Sequence, residues 1–329
     1  MKYSFINSAR GIAILMVIIV HTSQLYIFKN IFVKLLFDYG QMGVQLFFIA
    51  SAYTLCLSAE KRINEKSAIK NFYIRRFFRI FPVYYLGIIL YFILNFYFKD
   101  VGNYTTKNIF SNVFFIHGIV PSANNTIVPG GWSIGAEILF YLIFPVLHKF
   151  FFAGHFILKF IILTSICYFI IFLLHIHIKN NSFWYFNIIL QLPVFLSGIL
   201  YYKFQKRVTL SLAILIFSTF TIASFYFWYK EYFLIVPLVS AISFCGLIKI
   251  LEKTFLDLKV LQKIGIVSYS MYITHFVLVF YLLPITSNFG YMLLYFIFTV
   301  CVCYPFALIL EKYLEKPFIK LGNKIIKLS

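Results

Sequence analysis

The chain has 329 residues, of which 62% are hydrophobic and only 12% are charged. A soluble globular domain carries roughly 25% charged residues, so the composition excludes an ordinary soluble protein. Long apolar runs without strict alternation favour helices over a β-barrel. The sequence therefore predicts an all-α membrane protein, with a single polytopic domain over residues 1–329.

Ten stretches are candidates for helices that cross a bilayer, which requires roughly 20 apolar residues. They cover residues 11–28, 40–58, 79–98, 133–148, 156–176, 183–202, 208–228, 232–250, 264–285 and 290–310. Residues 99–132 form the longest connection on the predicted outer side. Within it, segment 109–120 is too short to span and is a candidate re-entrant or interfacial segment.

The basic residues fix the predicted orientation. With the N-terminus in the cytoplasm, the inner segments hold 23 basic residues, Lys2 among them, and the outer segments hold six, including Lys99. This asymmetry predicts that both termini are cytoplasmic. The basic residues behind the net charge of +19 then serve mainly to orient the protein in the membrane. They indicate binding to membrane lipid or to a polyanionic ligand, and not to nucleic acid. The excess of Lys, Ile, Phe and Asn indicates an AT-rich bacterial genome, and so a multi-pass protein of the bacterial cytoplasmic membrane.

The first span, "SARGIAILMVIIVHTSQLY", carries two polar residues on one helix face. Arg10 and His21 are eleven residues apart, which is about three helical turns and roughly 16 Å. Arg10 is therefore expected at the inner boundary and His21 near the midplane. An ionisable residue at that depth is a functional candidate, with a packed, hydrogen-bonded histidine as the alternative.

Two later segments place further ionisable groups inside the membrane. "GGWSIGAEILFYLIFP" puts Trp132 at the outer interface and Glu137 inside the span, and "GIVSYSMYITHFVLVF" puts His275 about 15 Å above the inner surface. The similar depths predict a polar pocket that contains His21, Glu137 and His275. A structural ion pair for Glu137 and a packed imidazole for His275 are the alternatives.

A basic cluster precedes the third span. Arg75, Arg76 and Arg79 precede Pro82, and the three-residue spacing puts Arg76 and Arg79 on one helix face. Arginine binds phosphate through paired hydrogen bonds, although anchoring at the membrane surface would also explain the cluster. The sequence predicts no metal site.

Taken in chain order, these segments resemble the membrane acyltransferase-3 family. The resemblance covers most of the chain and includes Arg10 with His21, "QLFFIASAYTL", "FYIRRFFRIFPVYY", "GGWSIGAEILFYLIFP", "SYSMYITH" and "EKYLEKPF". One departure is Ser51-Ala52-Tyr53, where the family usually has Ser-Gly-Phe or Ser-Gly-Tyr. The resemblance implies a ten-span enzyme that O-acylates surface glycans.

The resemblance also implies the reactants. The donor would be a cytoplasmic acyl-CoA, with acetyl-CoA favoured and no bound cofactor, and the acceptor would be a surface polysaccharide or lipid-linked glycan outside. The predicted donor-binding residues are Arg10, Arg75, Arg76 and Arg79, and the predicted acceptor-binding residues are Trp132, Ser133 and Tyr269.

The predicted catalytic residues are His21, Glu137 and His275. His21 would deprotonate the acceptor hydroxyl or be acylated itself, and Glu137 would orient His21 or bind the acceptor. His275 and Tyr269 would complete the pocket or stabilise the oxyanion.

The sequence is also compatible with two other classes of protein. A transporter or flippase of a glycolipid or polyanion would also have intramembrane polar residues, although no inverted repeat is visible. A structural membrane subunit would have no use for three buried ionisable groups. Binding or turnover of acetyl-CoA separates these classes. The acceptor, the choice between acetyl and succinyl, and the oligomeric state are not given by the sequence.

Overall fold

The computed structural model describes residues 3–98 and 102–328. Lys2 and Lys99, which belong to the charge count, and residues 99–101 of the predicted outer loop lie outside this range. The described residues form fifteen α-helices and no β-strand. The helices are α1 (Ser4–Ser23), α2 (Ile31–Asp38), α3 (Gly43–Lys61), α4 (Ala68–Phe98), α5 (Thr106–Val113), α6 (Gly131–Phe152), α7 (Phe156–His175), α8 (Asn181–Tyr185), α9 (Ile188–Phe204), α10 (Leu210–Tyr229), α11 (Val236–Lys253), α12 (Lys259–Ile266), α13 (Ser268–Tyr281), α14 (Phe289–Leu310) and α15 (Lys316–Leu328).

Helices dominate because a backbone in lipid must satisfy its own hydrogen bonds. The first backbone N–H groups of a helix have no partner within it. Polar side chains accept from these groups at the starts of five helices, where they act as caps: Thr105, Asn180, Asn187, Thr209 and Asn288.

The predicted all-α membrane protein is confirmed. In the described parts of the chain, eight helical stretches are long and apolar enough to cross a membrane, or nine if the bent pair of α12 and α13 is one span. Each of the ten predicted spans overlaps a helix. The span predicted at 232–250 corresponds to α11, which is not among these stretches and whose last five residues include Lys249, Glu252 and Lys253.

The span predicted at 264–285 is not one straight helix. It breaks at Val267 into α12 and α13. The backbone of α12 packs directly against α1. A β-carbon on Gly265 would lie 1.8 Å from the Asn7 carbonyl oxygen, and one on Gly11 would lie 2.3 Å from the Leu261 carbonyl oxygen. This contact fixes α12 on α1.

The chain divides into two compact units. The first unit comprises Met1–Met16, Tyr39–Lys61 and Ile143–Ile266. In it α9 packs on α3, α7 and α11, and α10 packs along α11. Ala52, which stands where the resemblance leads one to expect glycine, faces Gly198 of α9. The close approach of α3 and α9 therefore uses a glycine on α9.

The second unit comprises Val17–Asp38, Arg62–Leu142 and Val267–Ser329. In it α13 packs on α4 and α14, and α15 packs on α4. The Tyr91 hydroxyl of α4 donates to the Ile273 carbonyl of α13 over 2.5 Å. This unit holds nine of the ten residues that the sequence predicts for the site, and Arg10 lies in the first unit.

Candidate functional site

Two histidines from distant parts of the chain meet in the second unit. His21 lies near the end of α1 and His275 lies on α13, and their ring centroids are 5.4 Å apart. The Phe276 ring covers the pair, with its centroid 4.5 Å from that of His21. The predicted proximity of the two imidazoles is thus present in the structure.

Gln24, which follows the end of α1, determines which ring nitrogen of His21 carries the proton. Gln24 Oε1 lies 3.1 Å from His21 Nδ1. Because an amide oxygen only accepts, Nδ1 carries the proton and Nε2 has a free lone pair. The chain after Gln24 is held by Thr286, whose N–H donates to the Leu25 carbonyl and whose carbonyl accepts from the Ile27 N–H.

The proton of His275 is fixed by its own helix. Its Nδ1 lies 2.8 Å from the Tyr272 carbonyl oxygen and 3.2 Å from that of Met271. Nδ1 is therefore the protonated nitrogen, because a carbonyl only accepts. Nε2 of His275 is buried and has no hydrogen-bond partner among the described residues. The two imidazoles thus each present a basic Nε2.

Hydroxyl groups adjoin this pair at the start of α6. The Tyr272 hydroxyl donates to the Gly130 carbonyl over 3.0 Å, and the Ser133 hydroxyl lies 2.8 Å from that of Tyr272. Gly130 has φ +74°, and a β-carbon there would lie 2.7 Å from the Tyr272 hydroxyl. Only glycine suits this position. Trp132 is buried at the same helix start.

Glu137 lies one turn further along α6 and belongs to a second group. It accepts a hydrogen bond from Tyr141 over 2.5 Å. The guanidinium carbon of Arg76 lies 5.5 Å from the Tyr141 ring centroid and 5.6 Å from that of Phe72. Arg76 Nε is buried without a hydrogen-bond partner in the described part of the chain. An arginine held between aromatic rings with an unused donor is suited to bind an anion.

The neighbouring arginines differ from Arg76. Arg75 makes a bidentate pair with Glu65, with both N–O distances at 2.8 Å. Its guanidinium lowers the pKa of Glu65 by hydrogen bonding to the carboxylate. Arg79 is exposed. Arg10, in the first unit, donates to the Thr54 hydroxyl over 3.2 Å.

Tyr269 lies on α13 and donates to the Ile80 carbonyl over 2.9 Å. Its single proton is therefore used within the protein. His275 in the same way has no free N–H in its neutral form. The oxyanion role that the sequence suggested for these two side chains is not supported by these hydrogen bonds, and completing the pocket remains as their predicted role.

Sequence reasoning missed two residues of this region. The only sequence signal for Gln24 is its position three residues after His21, a spacing at which helical side chains meet. The sequence indicates no role for His117, and its side chain is fully buried. Its Nε2 lies 3.0 Å from the Gly131 carbonyl oxygen and 3.1 Å from the Tyr84 hydroxyl. His117 thus ties the segment before α6 to α4.

His117 predicts a pH-dependent stability. It lies outside the membrane-spanning helices, and burial lowers its pKa from 6.5 to about 4. As the pH falls below 6.5, the unfolded chain binds a proton that the fold excludes, so the free energy of unfolding decreases by about 2–3 kcal/mol towards pH 4. Above pH 6.5 this contribution is fully present.

Melting of the purified protein at pH 7 and pH 4.5 tests this. His117→Gln is expected to lose part of the pH dependence, whereas His177→Gln is expected to retain it, because His177 is exposed. An equal pH dependence in wild type and His117→Gln would contradict the prediction.

The fold and the imidazole pair define a multi-pass helical membrane protein with a buried basic site. Comparison with known proteins makes this more specific. Residues 3–308 match a family model described as an acyltransferase domain, Acyl_transf_3. The chain belongs to this acyltransferase family.

Two relatives bear acetyltransferase names. The chain is 32% identical over 119 residues to the peptidoglycan O-acetyltransferase OatA of Listeria monocytogenes, a match that covers 32% of this chain and 19% of OatA. It is 28% identical over 145 residues to ORF330 of Acidianus two-tailed virus, which is named as an acetyltransferase, covering 44% of this chain and 40% of that protein. The chain thus spans less than half the length of either relative. No solved structure matches it significantly.

Proposed function

We propose that the protein is an O-acyltransferase that transfers an acyl group, with acetyl favoured, from cytoplasmic acyl-CoA to a hydroxyl of a surface or lipid-linked glycan. Membership of the acyltransferase family supports acyl transfer. The observation that carries the proposal is the imidazole pair. Nε2 of His21 is unprotonated, and the ring centroids of His21 and His275 are 5.4 Å apart. The name of the relative OatA supports a glycan acceptor.

In the proposed reaction His21 acts as a general base. Its Nε2 takes the proton of the acceptor hydroxyl while the hydroxyl oxygen attacks the thioester carbonyl. The C–S bond then breaks, and the proton passes from His21 to the CoA sulfur, which leaves as the thiol. A second version uses the same lone pair: Nε2 attacks the thioester carbonyl and the C–S bond breaks, which expels CoA as the thiolate and leaves an acyl-histidine. The acceptor hydroxyl then attacks the acyl-histidine, its oxygen keeps the acyl group, Nε2 regains its lone pair, and the hydroxyl proton passes to the thiolate.

His275 is proposed to share the proton with His21 or to accept a hydrogen bond from the sugar. Its bare, buried Nε2 supports both. Ser133, whose hydroxyl bonds that of Tyr272, is proposed to contact the acceptor. Trp132, at the same helix start, is proposed to line the acceptor side.

Arg76 and Arg79 are proposed to bind the phosphates of the donor. The buried, unpartnered Nε of Arg76 supports this role, and Glu137 close by on α6 is proposed to orient the site. Arg75 is proposed to act indirectly, because its pair with Glu65 holds the start of α4. The donor role predicted for Arg10 still rests on the sequence. Cytoplasmic termini and a bacterial inner membrane remain part of the proposal.

The test is turnover of acetyl-CoA by the purified full chain with an acceptor glycan. Arg76→Gln is expected to raise the KM for acetyl-CoA about 10- to 100-fold, because a charge-assisted hydrogen bond contributes about 1.5–3 kcal/mol. Lys70→Gln, an exposed change on the same helix, is the control and is expected to leave KM unchanged.

Mass spectrometry of the glycan, with and without the gene, then gives the mass of the acyl group. Transport of a glycolipid without any acetyl-CoA binding would contradict the proposal and favour a flippase.

A further inference from the structure

A groove of about 560 Å³ lies at the end of α7 in the first unit. Five side chains with apolar surfaces line it: Tyr168, Ile171, Phe172, Ile176 and Leu234. Its surface is almost entirely apolar, and the Tyr168 hydroxyl is used in a bond to the Leu234 carbonyl. The groove is therefore built for a hydrocarbon chain.

The rim of this groove is basic. Lys179 and His175 line it, and His175 Nδ1 is buried without a hydrogen-bond partner among the described residues. Lys179 is exposed, and no acidic side chain of the described chain lies within ion-pair distance of it. A lysine and an unused imidazole nitrogen together attract a phosphate.

The basic rim and the apolar lining of the groove lie at the depths of a lipid headgroup and of its acyl chains. α7 is an apolar, 20-residue span with little of its surface buried in the protein, so the bilayer surrounds it. His175 ends the helix and Lys179 follows it, which places both near the headgroups. The apolar lining residues of α7, which precede His175 by up to two turns, then lie at the depth of the acyl chains.

We propose that this groove binds an anionic glycerophospholipid. Its phosphate contacts Lys179 and His175, and one acyl chain lies along Tyr168, Phe172 and Leu234. The proposal is independent of the catalytic site, because the groove and its rim belong to the first unit and use none of the residues assigned to acyl transfer.

The test is photo-crosslinking in nanodiscs of the full chain. Phosphatidylglycerol and phosphatidylcholine, each with a photoreactive acyl chain, are compared by mapping the labelled peptides. In the wild type, phosphatidylglycerol is expected to label the peptide with Tyr168 and Phe172 several times more than phosphatidylcholine. Lys179→Gln is expected to lower this ratio about fivefold, the effect of one basic residue near an anionic surface, and His175→Gln is expected to lower it as well.

Lys107→Gln is the matched control, since Lys107 is exposed on the predicted outer side and lies outside the groove. It is expected to leave the ratio unchanged. Equal labelling by both lipids would overturn the proposal, because the groove would then hold surrounding lipid without headgroup selection. Labelling confined to other peptides would overturn it too.

Discussion

Replacing His21 with alanine is expected to lower the rate of acyl transfer by about 10²- to 10⁴-fold, the usual contribution of a general base. The variant removes the lone pair on Nε2. In the wild type this nitrogen is unprotonated because the hydrogen bond to Gln24 holds the proton on Nδ1. Glycan acylation in cells and acetyl-CoA turnover by the purified protein both measure the effect. Equal membrane levels of the variant and the wild type show that the loss is chemical.

Two variants control this result. His177→Ala removes an exposed histidine and is expected to retain full activity. Gln24→Leu keeps His21 but removes the oxygen that holds the proton on Nδ1. We expect kcat to decrease about fivefold, as for the loss of one hydrogen bond. The KM for acetyl-CoA is expected to stay unchanged. Full activity of His21→Ala would reject the proposed mechanism.

Gly265→Ala is expected to destabilise the first unit by about 1–3 kcal/mol, a common effect of overpacking. The new β-carbon would lie 1.8 Å from the Asn7 carbonyl oxygen. Because this oxygen belongs to the backbone of α1 and the β-carbon is attached directly to the backbone of α12, the two helices must separate. Asp257 also holds α1, through bonds of 2.5 Å from Ser4 and Ser8, so the separation strains these bonds as well.

Thermal melting in detergent measures this loss. Gly290→Ala is the matched control, since its β-carbon would meet only the Asn288 side-chain oxygen, at 3.1 Å. It is expected to melt within a degree or two of the wild type. Gly11→Ala is expected to behave like Gly265→Ala, because it enters the same interface. Unchanged melting of Gly265→Ala would show that the two helices are not in contact in the membrane.

The sequence predicted the helices well because lipid imposes length and apolarity on each span. It also predicted that His21 and His275 would meet, since the depth of a residue follows from its place along a helix. Depth could not reveal which nitrogen carries the proton. That depends on Gln24 for His21 and on the Tyr272 carbonyl for His275, which are local contacts.

The arginine cluster shows a second limit of prediction from the sequence. Arg75 and Arg76 are adjacent and chemically identical, yet Arg75 is paired with Glu65 while Arg76 Nε is unused. Glu65 lies in the turn before α4, where Ser67 has φ 56°, and no periodic pattern reports which arginine of a helix a carboxylate in such a turn will meet. The burial of His117 likewise depends on a tertiary contact, with the Gly131 carbonyl.

The two basic nitrogens of the histidine pair have a consequence for turnover. Adjacent cations repel strongly in apolar surroundings, so two imidazoles this close can store a single proton between them. In the proposed reaction that proton must leave the pair before the next acceptor hydroxyl is activated. The CoA thiolate that departs in the proposed reaction would accept the proton, which would make product release and recharging of the base one coupled event.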